Sequence, residues 1–219
     1  MQIFMKFTLQ FKSTVTSNTS PILTVLLALS LCSCGSSYKN RYFPVKNLAQ
    51  RESSLGFSIT PPTGDSWFEK LNNNSLYYLK KTGRKDYAIY TKATEIHLNP
   101  NELKADRFLQ FVTRSKKPHT KSGDFQKVAF QVIPDNALSP LCVRYVLTYE
   151  DHSMKSQSKE EYINIKNSGL VCMHPDTLFN GVDMCYVERS LQSSKNPIGK
   201  SNEEGEFFLR SLKFHSQGT

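Results

Sequence analysis

No acidic residue occurs in this 219-residue chain before Glu52, tryptophan occurs once, and there are only five cysteines. Ten glycines and ten prolines do not exceed ordinary usage, which excludes a collagen-like or low-complexity chain. Only one apolar run is long enough to concern a bilayer, so a polytopic transporter is excluded as well. The sequence contains no G-x-S-x-G elbow, no H-E-x-x-H pair, no Walker A loop and no G-x-G-x-x-G turn. Zinc-type spacings such as C-x₂-C or H-x₃-H are missing too. Without a nucleophile, a base and an oxyanion donor that can be named together, the sequence predicts neither an enzyme nor a cofactor.

What is present argues for a folded body. Hydrophobic residues make up 38%, aromatics 11% and charged residues 21%, with fourteen Phe and ten Tyr. That excludes a chain disordered throughout. The length suits one ordinary domain with a tail.

The tail carries its own pattern. Lys6 and Lys12 precede Pro21-Ile-Leu-Thr-Val-Leu-Leu-Ala-Leu-Ser-Leu31. As a helix this run would be about 16 Å long, against a hydrocarbon core of roughly 30 Å. It is too short to span and matches the apolar region of a secretory signal. The basic region before it is long, and Met5 is an alternative start. Leu31-Cys32-Ser33-Cys34-Gly35 follows. This stretch resembles the lipobox of bacterial lipoproteins, with Leu at −3, Ser at −1 and Cys at +1. The resemblance implies that residues 1–33 are a signal peptide and that Cys34 becomes the lipid-modified N-terminus. It also implies thioether-linked diacylglycerol, usually with a third acyl chain, and Gly35 in place of Asp is associated with export to an outer membrane. The expected location is therefore a lipid-anchored position on a bacterial membrane, with the periplasmic face of the outer membrane favoured. Two or more acyl chains anchor stably where one holds only marginally.

The formal charge of +9 overstates the body. Without Lys6 and Lys12 the chain keeps 26 basic and 19 acidic residues, and from Ser54 onward it has 22 and 18. The remaining basic clusters, Lys80 to Lys85 and Arg114 to Lys121, are short and sit at turns, so no nucleic-acid partner is expected. Residues 34–54 read as a flexible basic tether. As a coil of about 20 residues it would reach roughly 25 Å on average. Lys39, Arg41, Lys46 and Arg51 are placed to meet anionic headgroups.

Residues 55–219 read as one α+β domain, an antiparallel sheet with helices packed on it. Gly56 to Thr60 is a strand closed by Pro61-Pro62, after which Trp67 and Phe68 dock on the core. Ser75 to Leu79 and Tyr87 to Leu98 form a hairpin about Lys81 to Lys85. A helix begins with Asn99 as cap, Pro100 at the first position and Glu102 closing a capping box. Ala105, Phe108, Leu109 and Val112 give it one apolar face, and Pro118 stops it. Four strands follow: Phe125 to Ile133, Leu141 to Tyr149, Tyr162 to Met173, and Val182 to Glu188. Asp183, Glu188 and Arg189 are candidates for cross-strand ion pairs. A second capping box at Ser201 to Glu204 opens a helix whose Phe207, Phe208 and Leu212 press on the sheet. This order, with its strand-Pro-Gly-Trp opening, resembles the PsbP-like α/β/α sandwich. That fold includes assembly subunits and protein-binding domains and has no shared catalytic residues.

Cys142, Cys172 and Cys185 remain in the body. An exported compartment permits a disulfide. Cys142–Cys172 is favoured, since the loop between their strands is centred near residue 157; Cys172–Cys185 is the rival. The sharper alternative is a metal held by Cys172 and His174, which share a strand face. The expected function is thus an accessory or protein-binding lipoprotein of the cell envelope, anchored in the membrane and engaging another envelope protein. The alternative is a ligand- or metal-binding, possibly enzymatic, lipoprotein that uses the 172–181 loop, where His174, Asp176 and Asn180 cluster.

Overall fold

Among the described residues, eleven strands, two α-helices and one 3₁₀ turn make up the body. The computed structural model describes residues 42–54, 56–72, 75–117, 123–153, 161–177, 179–194 and 202–216, all in one unit that begins at Asn40. The signal segment, Cys34 and the cap residue Ser201 lie outside the described residues. Among the described residues no helix is long and apolar enough to cross a membrane.

The strands are β1 (Phe43–Pro44), β2 (Arg51–Glu52), β3 (Phe57–Ile59), β4 (Trp67–Asn72), β5 (Ser75–Lys80) and β6 (Tyr87–His97). After helix α1 (Ala105–Lys116) come β7 (Phe125–Pro134), β8 (Cys142–Asp151), β9 (Ile163–Met173) and β10 (Asn180–Leu191), then α2 (Asn202–Arg210) and β11 (Lys213–Phe214). Eight strands form one antiparallel sheet in the order β1-β4-β5-β6-β10-β9-β8-β7, and β11-β3-β2 form a small second sheet. The architecture is α+β with strands dominating, as the sequence predicts. The β6–β10 pairing, Asn180 opposite His97 through Ser190 opposite Tyr87, joins two meanders into one sheet.

Period-two alternation gives that sheet two apolar faces. On one, Tyr78, Ile89, Leu170, Met184 and Tyr186 pack with Phe57 and Ile59 of the small sheet and with Phe208 and Leu209 of α2. On the other, Val143, Tyr145, Val171 and Met173 pack under Phe108 and Val112 of α1. α2 approaches β10 closely because residue 205 is glycine; a Cβ there would lie 2.5 Å from the Tyr186 ring. Phe207, expected on the sheet, is 41% exposed, and Leu209 is buried in its place. At 3.6 residues per turn, Gly205, Phe208 and Leu209 share one stripe and Phe207 falls outside it.

The first helix also differs from its expectation. The capping geometry forms, with the Asn99 N–H donating to the Glu102 carboxylate at 3.2 Å, but on a single 3₁₀ turn, Pro100–Glu102. Lys104 is extended and the α-helix starts afresh at Ala105. Leu103 packs into the cluster beneath α1. In a continuous helix it would lie about 140° around from Phe108, on the wrong side. Burying Leu103 therefore requires the break.

The expected tether ends sooner than residue 54. Pro44 pairs with Phe68, the Val45 N–H donates to the Trp67 carbonyl at 2.9 Å, and Val45 packs on the core. Arg51 opposes Ile59, and its guanidinium holds Glu69 at 2.9 and 3.2 Å. From Tyr42 onward the segment belongs to the domain, because it covers an otherwise open sheet edge and an unpaired carboxylate.

Cys142 and Cys172 stand opposite each other on β8 and β9 and form a disulfide. The rival pairing fails on register: Cys172 faces Val182, and Cys185 faces Gly169. Cys185 is a free thiol.

Candidate binding surface

The 172–181 loop was the sequence's candidate for ligand or metal; the fold engages its His174 and Asn180 side chains and leaves Asp176 exposed. His174 is 5% exposed. Its Nδ1 accepts the backbone N–H groups of Asp176 and Thr177, each at 3.1 Å, which fixes the Nε2–H tautomer. That N–H faces the Gly56 carbonyl at 3.3 Å, and the ring packs edge-on against Phe214 at 4.9 Å. Asn180 lies against His97, Oδ1 to Nδ1 at 2.8 Å. The space among Phe57, Glu95, His174, Asn180, Gly181 and Phe214 has no room for a water molecule. The paired use of Cys172 and His174 as metal ligands is corrected accordingly: the Cys172 sulfur is in the disulfide, and the imidazole lone pair caps a turn. Among the described residues no three His, Cys, Asp or Glu side chains group as a metal site.

The expected ion pairing among Asp183, Glu188 and Arg189 is corrected as well. Asp183 pairs with Lys116 of α1. Glu188 is fully buried on the α2 face and accepts hydroxyls from Tyr186 at 3.0 Å and Tyr87 at 3.2 Å. Successive residues of a strand point to opposite faces, so Arg189 is turned away from Glu188.

Arg189 lies on the face that carries α1, beyond the helix. α1 contacts β7 and β8 and packs on the Val143, Val171 and Met173 end of the sheet. Ile163, Ile165 and Val187, with Tyr90, Tyr149 and Leu191, form a separate apolar cluster on that face. Among the described residues no helix or strand is laid over it. Tyr77 stacks on Tyr90 with ring centres 5.6 Å apart, Tyr42 meets Tyr77 edge-on at 6.0 Å, and Phe125 meets Tyr149 edge-on at 5.3 Å. Aromatic rings therefore flank this cluster from both sides. Where β6, β9 and β10 end, a cleft of about 260 Å³ opens between Lys85, Ala88, Ile163, Arg189 and Leu191.

The tyrosines register how far this surface is shielded from water. Burial raises the Tyr77 hydroxyl to about 12, helped by Tyr42 and Tyr90 and opposed by the Arg189 charge. Burial also raises Tyr90 and Tyr149, and Arg189 opposes the rise in each. One guanidinium thus acts on three rings. Burial pushes the Cys185 thiol up to about 12, so it is protonated at neutral pH and is no nucleophile. A titration followed at 295 nm should show Tyr77, Tyr90 and Tyr149 ionising later than exposed tyrosines. A phenol whose pKa is raised on folding stabilises the fold fully below its unfolded value, about 10. That contribution is lost as pH rises towards the folded value, so the denaturation midpoint should fall between about pH 10 and 12. A midpoint flat across that window would contradict the burial of these rings.

A second cleft, about 210 Å³, lies between α2 and the opposite face, lined by Val146, Lys166, Ser168, Tyr186, Asn202 and Glu206. Its long polar side chains already have partners. Lys166 donates to Asn202 at 2.9 Å and Arg144 holds Glu206 at 2.8 Å. Recognition groups without partners favour the Arg189 side. No family model matches the chain and no curated protein matches it, so the site stands on its geometry alone.

Sequence reasoning missed this surface. Tyr149 was placed on the correct face, in the alternation from Leu141, but Tyr77 and Tyr90 were not singled out, and Arg189 was read only as an ion-pair candidate. One signal was present: two predicted helices cannot cover both faces of so wide a sheet.

Proposed function

We propose that the chain is a lipid-anchored protein of a bacterial cell envelope, most consistently the periplasmic face of an outer membrane, and that its body is an accessory binding module without catalysis. The observation that carries this is Leu31-Cys32-Ser33-Cys34, placed directly after an eleven-residue apolar run that is preceded only by basic charge. Supporting it, the body uses a disulfide, which persists in exported compartments and rarely in reducing ones. One helix packs on each side of the sheet, which supports reading the body as a PsbP-like sandwich, a fold associated with assembly and protein binding. Fold analogy does not name the partner.

Geometry adds a constraint on reach. Between Cys34 and Tyr42 stand only residues 35–41. Fully extended, this linker spans roughly 25–30 Å, so an anchored body stays against the headgroups. Lys39, Arg41 and Lys46 then sit where anionic lipid attracts them, by ~1 kcal/mol per charge near the surface. A partner reached by this body is therefore itself in or on the same membrane.

A Cys34→Ser variant should leave the membrane fraction and lose palmitate labelling, while the wild-type chain carries both. Cross-linking of wild-type cells followed by affinity capture from solubilised envelopes should recover a membrane partner. Palmitate retained by the variant would refute the site assignment.

A further inference from the structure

On the α1 face, beyond the helix, one arginine has a donor that no described residue answers. Arg189 Nε is buried and has no hydrogen-bond partner. Among the described residues, Asp86, Asp151 and Glu188 are each engaged elsewhere. Asp86, at the rim of the cleft, is held by Arg84 at 2.6 and 2.9 Å. Asp151 accepts the N–H and hydroxyl of Ser153 at 3.0 and 2.6 Å. Glu188 points to the other face, into its two tyrosine hydroxyls. A buried donor left without an acceptor costs free energy, and the guanidinium carries several donors in one plane, suited to a carboxylate or phosphate. Lys85 brings a second positive charge to the same cleft, while Ala88, Ile163 and Leu191 make its walls apolar. Tyr90 and Tyr149 extend the apolar surface beyond it.

We propose that this cleft binds a small amphipathic anion: a compact apolar body lying on Ile163, Leu191 and the tyrosine-flanked sheet, with a carboxylate or phosphate on the Arg189 guanidinium. The anion supplies an acceptor for Arg189 Nε, which has none among the described residues, and the sheet supplies a water-poor surface on which that pairing is strong. The cleft volume lies just below the range for drug-sized ligand sites, so the occupant is a single ring system or short chain. This inference is independent of the lipid anchor.

The test uses the full chain, in phosphatidylcholine nanodiscs if it is lipidated and in buffer if it is not, with empty nanodiscs as the blank. Four probes share one apolar body: 2-naphthoate, 2-naphthyl phosphate, neutral 2-naphthol and cationic 2-naphthylmethylamine. Calorimetry should show both anions binding at least tenfold more tightly than the naphthol, with the cation weakest. The ratio of the two anions tells carboxylate from phosphate. Arg189→Met should bring the anions down to the level of naphthol while leaving naphthol unchanged, and Arg189→Lys should recover part of the loss. Phenylglyoxal labelling of the unaltered protein, mapped by mass spectrometry, removes dependence on a variant that folds poorly: the anions should protect Arg189 and the amine should not. Equal binding of all four probes, no binding at millimolar concentration, or unchanged anion affinity in Arg189→Met each overturns the proposal.

Discussion

Reducing the Cys142–Cys172 bridge should lower the melting temperature of this protein by roughly 6–16 °C, a larger change than most single substitutions produce. The bridge closes a separation of 30 residues. In the chain-entropy account a loop of that size stabilises by about 3–4 kcal/mol, and in a domain of this length each kcal/mol is worth about 2–4 °C. The two sulfurs stand on adjacent strands in register, so the crosslink acts on the unfolded chain without forcing the sheet out of line. Reduction of the native state should be slow, because Cys142 and Cys172 are 1% and 0% exposed and a reductant must wait for the sheet to open. Cys185 offers no substitute partner. It packs with the α1-side clusters, whereas Cys142 and Cys172 belong to the core under α2. Alanine replacement of both bridge cysteines should reproduce the loss without reductant. A reduced protein melting within about 2 °C of the oxidised one would show the bridge to be incidental.

The sequence was a good guide wherever one alternation or one stripe settled the answer. The run from Leu141 to Tyr149 was assigned both its strand and its face, because every second residue there is large and apolar. The Cys142–Cys172 pairing followed from the loop length between two such runs. Short elements were lost. β1, β2 and β11 have two residues each and exist only because a neighbouring edge offers them hydrogen bonds, a condition that no local pattern contains. Pro44 and Arg51 read as linker for the same reason, since their partners Phe68 and Glu69 are remote in sequence. β4, Trp67–Asn72, was read only as a docking aromatic pair, because Glu69 and Lys70 interrupt its apolar run. The site was misplaced by a related error. A histidine, an aspartate and an asparagine in one loop look like recognition groups when their backbone neighbours are invisible. In the fold, the amides of Asp176 and Thr177 use up the His174 nitrogen. Asp183, Glu188 and Arg189 were expected to ion-pair across strands, but Asp183 pairs with Lys116 and the alternation that places Glu188 in the core turns Arg189 to the other side.

Gly169→Ala should be among the most damaging single substitutions in the chain, although it adds one methyl group. Gly169 lies opposite Tyr145 in the β8–β9 register, and the tyrosine ring is laid across its backbone. A Cβ at residue 169 would stand 2.2 Å from Cζ and 2.4 Å from Cε1 of that ring. The ring has nowhere to go. Tyr145 is 1% exposed, packs in the cluster beneath α1, and carries the Lys116 ammonium 5.2 Å from its centre. Glycine within a strand ordinarily weakens it, so its presence here indicates that the close approach of ring to backbone is worth more than the lost propensity. Overpacking of this kind costs about 1–3 kcal/mol and more where neither side can yield, so a loss of about 3 kcal/mol is expected, read as a lower urea midpoint with unchanged slope. Gly169→Val should be worse. Tyr145→Leu alone should also destabilise, by opening a cavity, yet it removes the ring atoms that the new methyl would strike. The double variant should therefore be more stable than the sum of the two single losses predicts, with a coupling of about 1–3 kcal/mol. Strict additivity would mean that the ring moves aside freely, and the packing that separates the aromatic half of this face from the half under α1 would then have to be reconsidered.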